Sequence, residues 1–161
     1  HELRGLAVRE IRTRKPDIVI SWDGFRAGFN HTDHRAIGRA VRDALYPAAH
    51  DPHYYGELAA EGIGPHRTAE LLMAGAADAD YHVNIEPYLE QKAEAVACHA
   101  SQVDNRPKEE FLKAWQNMSA ERRRERKKLT GFEHAESFQR IEFRRPAGAP
   151  GTPPERRKSA K

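Results

Sequence analysis

The segment Asn30-His31-Thr32-Asp33-His34 brings two imidazoles and a carboxylate close together. Side chains of these types can bind a metal ion and move protons. A neutral imidazole is a good zinc ligand, and a neighbouring carboxylate can fix its tautomer or raise its basicity. The cluster follows a β-branched run and opens an amphipathic stretch. In a parallel α/β sheet, ligands collect beyond the carboxyl ends of strands, where loops meet helix starts. Location and chemistry therefore agree. A catalytic zinc site usually needs three protein ligands, however, and no other residue completes the set. A plainer reading stays open beside this one: Asp33 as a local cap, His31 as an exposed loop residue and His34 as a surface histidine.

Other candidates are weaker. His50 and His53 flank Asp51-Pro52 and read as solvent-facing loop histidines, although they could approach the cluster. His99-Ala100-Ser101-Gln102 closes a helical stretch, where Ser101 and Gln102 could bond free carbonyls and His99 would suit the negative end of the dipole. A Ser101–His99 nucleophilic pair lacks both an exposed elbow and an orienting acid. Cys98 is the single cysteine, which excludes an intrachain disulfide and thiolate-built zinc sites. Its neighbours Val96 and Ala97 predict a small, buried or half-buried residue.

The elements that must position the cluster follow from periodicity. Residues 2–14 read as a helix with Leu3, Leu6, Ala7 and Ile11 on one face, ended by Pro16. Asp17-Ile18-Val19-Ile20-Ser21-Trp22 predicts a strand of a covered sheet. The spacing of Ala36, Ile37, Ala40, Val41, Ala44 and Leu45 predicts a helix over 33–46, closed by Pro47. Residues 48–66, rich in Gly and Pro, read as a long surface loop of a length that is often functional. Residues 67–74 are a short helix or a buried segment, and Tyr81–Ile85 alternates as a strand. Pro87 opens a helix carrying Leu89, Ala93, Val96, Ala97 and Ala100. A further helix is expected from about 107 to 128, then a closing apolar segment with Phe132, Phe138, Ile141 and Phe143. Beyond Pro146 the composition reads as a disordered tail.

The chain has 161 residues, enough for one ordinary domain, with 39% apolar and 32% charged residues and a net charge of +3. Charge is uneven: residues 121–128 hold six basic and two acidic groups, and residues 142–161 repeat that ratio. Such runs read as a solvated helix face and a tail. Without a recognition motif or interleaved aromatics they predict no nucleic-acid partner. No apolar run approaches the roughly 20 residues that span a bilayer, and no signal peptide is visible, which points to a soluble cytoplasmic protein.

Three separated motifs give the chain a family likeness. It resembles the C-terminal two-thirds of the zinc-dependent deacetylases of the PIG-L, or LmbE-like, family. The likeness begins at Arg14-Lys15-Pro16-Asp17-Ile18-Val19 and continues through Asn30-His31-Thr32-Asp33-His34-Arg35-Ala36, which matches a Gly-His-Pro-Asp-His-x-Ala signature. Lys92-Ala93-Glu94-Ala95 with His99-Ala100-Ser101-Gln102 matches a Lys-x-x-Ala…His-x-Ser-Gln segment, and Glu136-Ser137-Phe138 a terminal Glu-x-Phe. Asn30 and Thr32 replace the usual glycine and proline, and Asn84 a more usual aspartate.

The resemblance implies a Rossmann-like α/β fold with a mainly parallel sheet flanked by helices. Residues 1–145 would be the C-terminal part of one deacetylase domain, and 146–161 a basic Pro/Gly-rich tail. It implies zinc as cofactor, His34 as a zinc ligand, His31 as the group that stabilises the oxyanion or transfers a proton, and Asp33 as its supporting acid. The reaction would be hydrolysis of an N-acetyl group on an amino sugar or amino-sugar conjugate. The family's N-terminal Ala-His-Pro-Asp-Asp-Glu motif, source of further zinc ligands and the base, has no match here. The chain therefore reads as part of a longer enzyme, with those residues expected before residue 1 and apolar surface left open on its sheet. A non-catalytic sugar-conjugate binding module that keeps the fold is the alternative.

Overall fold

The computed structural model describes residues 2–28 and 30–143. The tail predicted for 146–161 lies outside the described residues. The chain packs as two compact units, residues 2–77 with 140–143 and residues 78–139. The fold is α/β.

In the first unit, helix α1 (Glu2–Arg14) leads into strand β1 (Ile18–Trp22), and helix α2 (Thr32–Asp43) follows the loop after β1. A short helix, α3 (Glu57–Ala60), interrupts the long loop before strand β2 (Glu70–Ala74). β1 and β2 pair in parallel, with Ile18 opposite Glu70 and Trp22 opposite Ala74. The C-terminal end of strand β4 (Ala135–Glu142) lies beside β2, through the Arg140–Glu70 ion pair and the Phe143 N–H donated to Ala69. The core joins Val8 and Ile11 of α1, Ala44, Leu45, Ala48 and Ala49 after α2, Leu58, and Leu71 and Met73 of β2.

Several expectations are corrected. The buried face of α1 is Val8, Ile11 and Arg12, whereas Leu3 and Leu6 are exposed. Arg12 is only 1% exposed. Its guanidinium donates to the backbone carbonyls of Ala48, Ala49, Asp51, Tyr54 and Tyr55 and so fixes the first part of the long loop. Burial pulls this guanidinium below its ordinary pKa, opposed by Glu57 and Asp51. β1 is covered on one face only: Val19 packs against the core, while Ile18 and Ile20 are exposed on the other. α2 stops at Asp43 and passes into a wider turn, Ala44–Ala48, in which Tyr46 is extended and the Tyr46–Pro47 bond is cis. Residues 67–74 hold a strand, since pairing with β1 overrides the helical preference of Leu and Met.

In the second unit, strand β3 (Tyr81–Asn84) pairs antiparallel with β4, Tyr81 opposite Phe138. A sheet that is mainly parallel was expected; the strands are mixed, parallel for β1–β2 and antiparallel for β3–β4. Helix α4 (Leu89–Ala97) buries Ala93, and Cys98 beyond it is exposed rather than half-buried. The single helix expected over 107–128 is two, α5 (Lys108–Gln116) and α6 (Ala120–Thr130). Ser119 separates them because its hydroxyl accepts the Arg122 N–H as an N-cap. Gly131, left-handed at φ 83°, ends α6. Lys92 pairs with Glu136 and lies over Trp115, and His82 Nδ1 bonds Ser137 Oγ at 3.0 Å. Two of the motif segments noted in the sequence therefore meet through a structural ion pair.

Candidate active site at the end of the first strand

The loop leaving β1 is built on Trp22. Its indole N–H donates to Asn30 Oδ1 at 3.0 Å, and Asn30 Nδ2 donates to the Asp23 carbonyl at 2.9 Å. The Asp23 carboxylate, buried, accepts the Phe25 N–H at 2.8 Å. Asn30 thus ties both ends of the loop together, a role that no glycine could fill.

Helix α2 approaches this loop through glycine. A Cβ at Gly38 would lie 2.3 Å from the Trp22 carbonyl oxygen and 2.4 Å from the Gly24 nitrogen. Gly75, at φ 71°, packs against the Trp22 ring so closely that a Cβ would fall 2.7 Å from it. These contacts set Trp22 as a platform. The His34 ring lies on it, with centroids 4.1 Å apart. The His31 and His34 rings are 5.6 Å apart, close enough to serve one ligand.

His31 caps α2. Its Nδ1 accepts the Asp33 N–H at 3.2 Å, so the cap is the histidine and not Asp33. A neutral ring whose Nδ1 accepts carries its proton on Nε2, and His31 can therefore donate from Nε2. Asp33 Oδ2 lies 3.7 Å from the same Nδ1, where it can stabilise the protonated ring. Asp33 also sits in the first turn, where the helix dipole favours an anion. All three side chains are exposed.

Among the described residues no group of three His, Cys, Asp or Glu could hold a metal ion. His50 is elsewhere: it stacks on Tyr46 beyond the far end of α2, and His53 is exposed. The long loop rejoins the sheet where His66 Nε2 meets the Pro16 carbonyl at 2.9 Å, just before β1 begins. It therefore sits at the opposite end of β1 from His31 and His34, and does not line their site. His99, Ser101 and Gln102 are exposed, and their turn is held by backbone bonds from Gln102 and Val103 to the His99 carbonyl. No helix of the described residues is long and apolar enough to cross a membrane.

No family model matches the chain, and neither does any curated protein. Among solved structures it is similar to the N,N'-diacetylchitobiose deacetylase from Pyrococcus horikoshii in complex with its inhibitor MPG, at 20% identity and a TM-score of 0.69. The likeness covers 88% of this chain and 51% of that one, so the chain spans about half the length of the solved structure. At this level of identity the likeness is one of fold: the chain shares an α/β architecture with that deacetylase.

Proposed function

We propose that the chain carries part of the active site of a zinc-dependent N-deacetylase that acts on an amino sugar or amino-sugar conjugate. The observation that supports this most is a coincidence of fold and placement. A chain folded like a chitobiose deacetylase sets His31, Asp33 and His34 where β1 gives way to α2.

The roles follow from the geometry. His31 Nε2–H is the donor available to an amide carbonyl oxygen, and it strengthens as that oxygen becomes an oxyanion. When His31 takes a second proton, Nδ1–H gives up the Asp33 N–H and turns to the Asp33 carboxylate. Asp33 then offsets the imidazolium charge. His34, held against Trp22, would be the zinc ligand; zinc, when bound, polarises the amide and activates a water. The donors among the described residues do not make a complete zinc site. The other ligands and the base would come from polypeptide outside the described residues, and the uncovered Ile18–Ile20 face of β1 is a place for it to pack.

A non-catalytic sugar-conjugate binding module is the second reading, favoured by the incomplete donor set. Zinc titration of the chain tests the ligand assignment. The expected result is weak binding that His34→Ala removes. Binding that survives His34→Ala would overturn the role given to His34, and tight stoichiometric binding would overturn the view that this donor set is partial.

A further inference from the structure

Helix α6 carries the basic run of residues 121–128 and buries none of its side chains. It is 11 residues long, and a helix of that length draws most of its stability from an apolar face packed on a neighbour. Ser119 and Gly131 hold its two ends, but no face is covered. Charge pairing does not make up the difference. Arg122 and Arg126 stand one turn apart, as do Glu121 and Glu125, and like charges at that spacing repel. Among the described residues, Lys127 alone of α6 reaches a carboxylate, Glu133 at 3.9 Å, and neither Arg122 nor Arg126 is ion-paired.

A groove of about 670 Å³ lies between the end of α5 and this helix. Its apolar lining includes Trp115, Met118 and Leu129, and Leu129 is 72% exposed. Arg122 and Arg126 line the same groove, with Glu125 as its one carboxylate. An apolar strip and two unpaired guanidiniums therefore face one space.

Three kinds of polyanion could meet those guanidiniums, and the groove selects among them. A single-stranded nucleic acid gains affinity by stacking bases on open aromatic rings. Trp115 is half-buried, with Lys92 Nζ over its ring at 5.9 Å and Phe111 beside it at 6.3 Å. An anionic membrane takes up a helix with a broad apolar stripe, whereas Leu129 is the one large apolar residue of α6. An acidic segment with apolar side chains on one face satisfies both parts of the lining. We infer that the α5–α6 groove is a docking site for an acidic amphipathic helix of a partner protein. Its apolar face covers Met118 and Leu129 while its carboxylates pair with Arg122 and Arg126. The inference uses none of the residues on which the deacetylase reading rests.

The test is fluorescence anisotropy with the full chain and a fluorescein-labelled peptide of Leu-Glu-Glu-Leu-Leu-Glu-Glu repeats. A dissociation constant of about 10–100 μM is expected. Arg122→Gln combined with Arg126→Gln should weaken binding about tenfold or more, and Leu129→Gln about fivefold or more. Glu125→Gln should tighten it about twofold. None of these changes should move the thermal midpoint of the peptide-free chain, because α6 buries none of the altered side chains. Lost binding then reports lost contacts and not a lost fold. As competitors, an all-Glu peptide of the same length, a single-stranded oligonucleotide and phosphatidylserine vesicles should each be at least about fivefold less effective than the unlabelled Leu-Glu peptide. No anisotropy change at about 1 mM chain, equal competition by the all-Glu peptide, stronger competition by the oligonucleotide or the vesicles, or unchanged affinity in the arginine or Leu129 variants would each overturn the proposal.

Discussion

Gly38→Ala is the substitution whose outcome most sharply separates the packing described above from ordinary helix behaviour. In an exposed helix interior this change gains about 1 kcal/mol of helix propensity. At Gly38 the added methyl would sit 2.3 Å from the Trp22 carbonyl oxygen, 2.4 Å from the Gly24 nitrogen and 2.7 Å from the Gly24 Cα. Non-bonded heavy atoms are comfortable at roughly 3.5 Å, so α2 would have to retreat by roughly 1 Å. Every atom it meets is backbone, and none can turn aside as a side chain would. Overpacking costs about 1–3 kcal/mol, and the absence of any yielding neighbour puts this site at the upper end. After the propensity gain, the net loss is about 2 kcal/mol. Urea unfolding followed by far-UV circular dichroism reads that loss. The same retreat lifts His34 from Trp22. In a Trp115→Phe background, the change in Trp22 fluorescence caused by His34→Ala should therefore be smaller in the Gly38→Ala chain than in the parent. A Gly38→Ala chain as stable as the parent, with that change intact, would refute the reasoning.

Arg12→Met should cost about 2–6 kcal/mol, since the Ala48 and Tyr54 carbonyls lose the donor that Arg12 supplies, at about 1–3 kcal/mol each. Limited proteolysis should then cut within residues 48–60, and a loss below about 1 kcal/mol in urea unfolding would contradict the role assigned to Arg12. The Arg9–Glu61 pair holds the Glu61 carboxyl below its ordinary pKa through the hydrogen bond from Arg9. Its stabilisation is therefore complete above the ordinary carboxylate range and is lost as pH falls through the lowered value. Glu61→Gln should flatten the urea midpoint between about pH 6 and about pH 3, and an unchanged slope would show that the pair contributes nothing. Lys92→Met, which unpairs Glu136 in the second unit, should lower stability by no more than about 1 kcal/mol, because both partners are partly exposed. A larger loss in the same unfolding assay would point to a role beyond the ion pair.

The sequence made the strand–loop–helix around the site legible because two unlike periodicities adjoin there, β-branched residues 18–20 and the helical spacing from Ala36 to Leu45. The elements it hid depend on partners far along the chain. Glu70-Leu71-Leu72-Met73-Ala74 is made of helix formers and becomes a strand only through its pairing with β1. Arg12 looks like a surface charge until the five carbonyls that receive it are in place. The break between α5 and α6 carries no Gly or Pro, and only the Ser119 cap signals it.

Within the candidate site, His31, Asp33 and His34 were visible as chemistry, and their position at a helix start follows from local pattern alone. The parts that hold them were not visible. Gly38 and Gly75 matter for what approaches them, and Trp22 for the ring that lies on it. Asn30 looked like a departure from a glycine, yet it links Trp22 to Asp23. The Asn-x-x-Asp-His spacing gave no sign that His31 itself would cap the helix.

Acetate release from N,N'-diacetylchitobiose by the natural polypeptide that carries this segment, measured with zinc present for the parent and for His34→Ala, tests the central proposal most directly. The account predicts turnover in the parent and a loss of at least about 10³-fold in the variant, about 4 kcal/mol of transition-state stabilisation. Equal turnover with and without the His34 imidazole would contradict it.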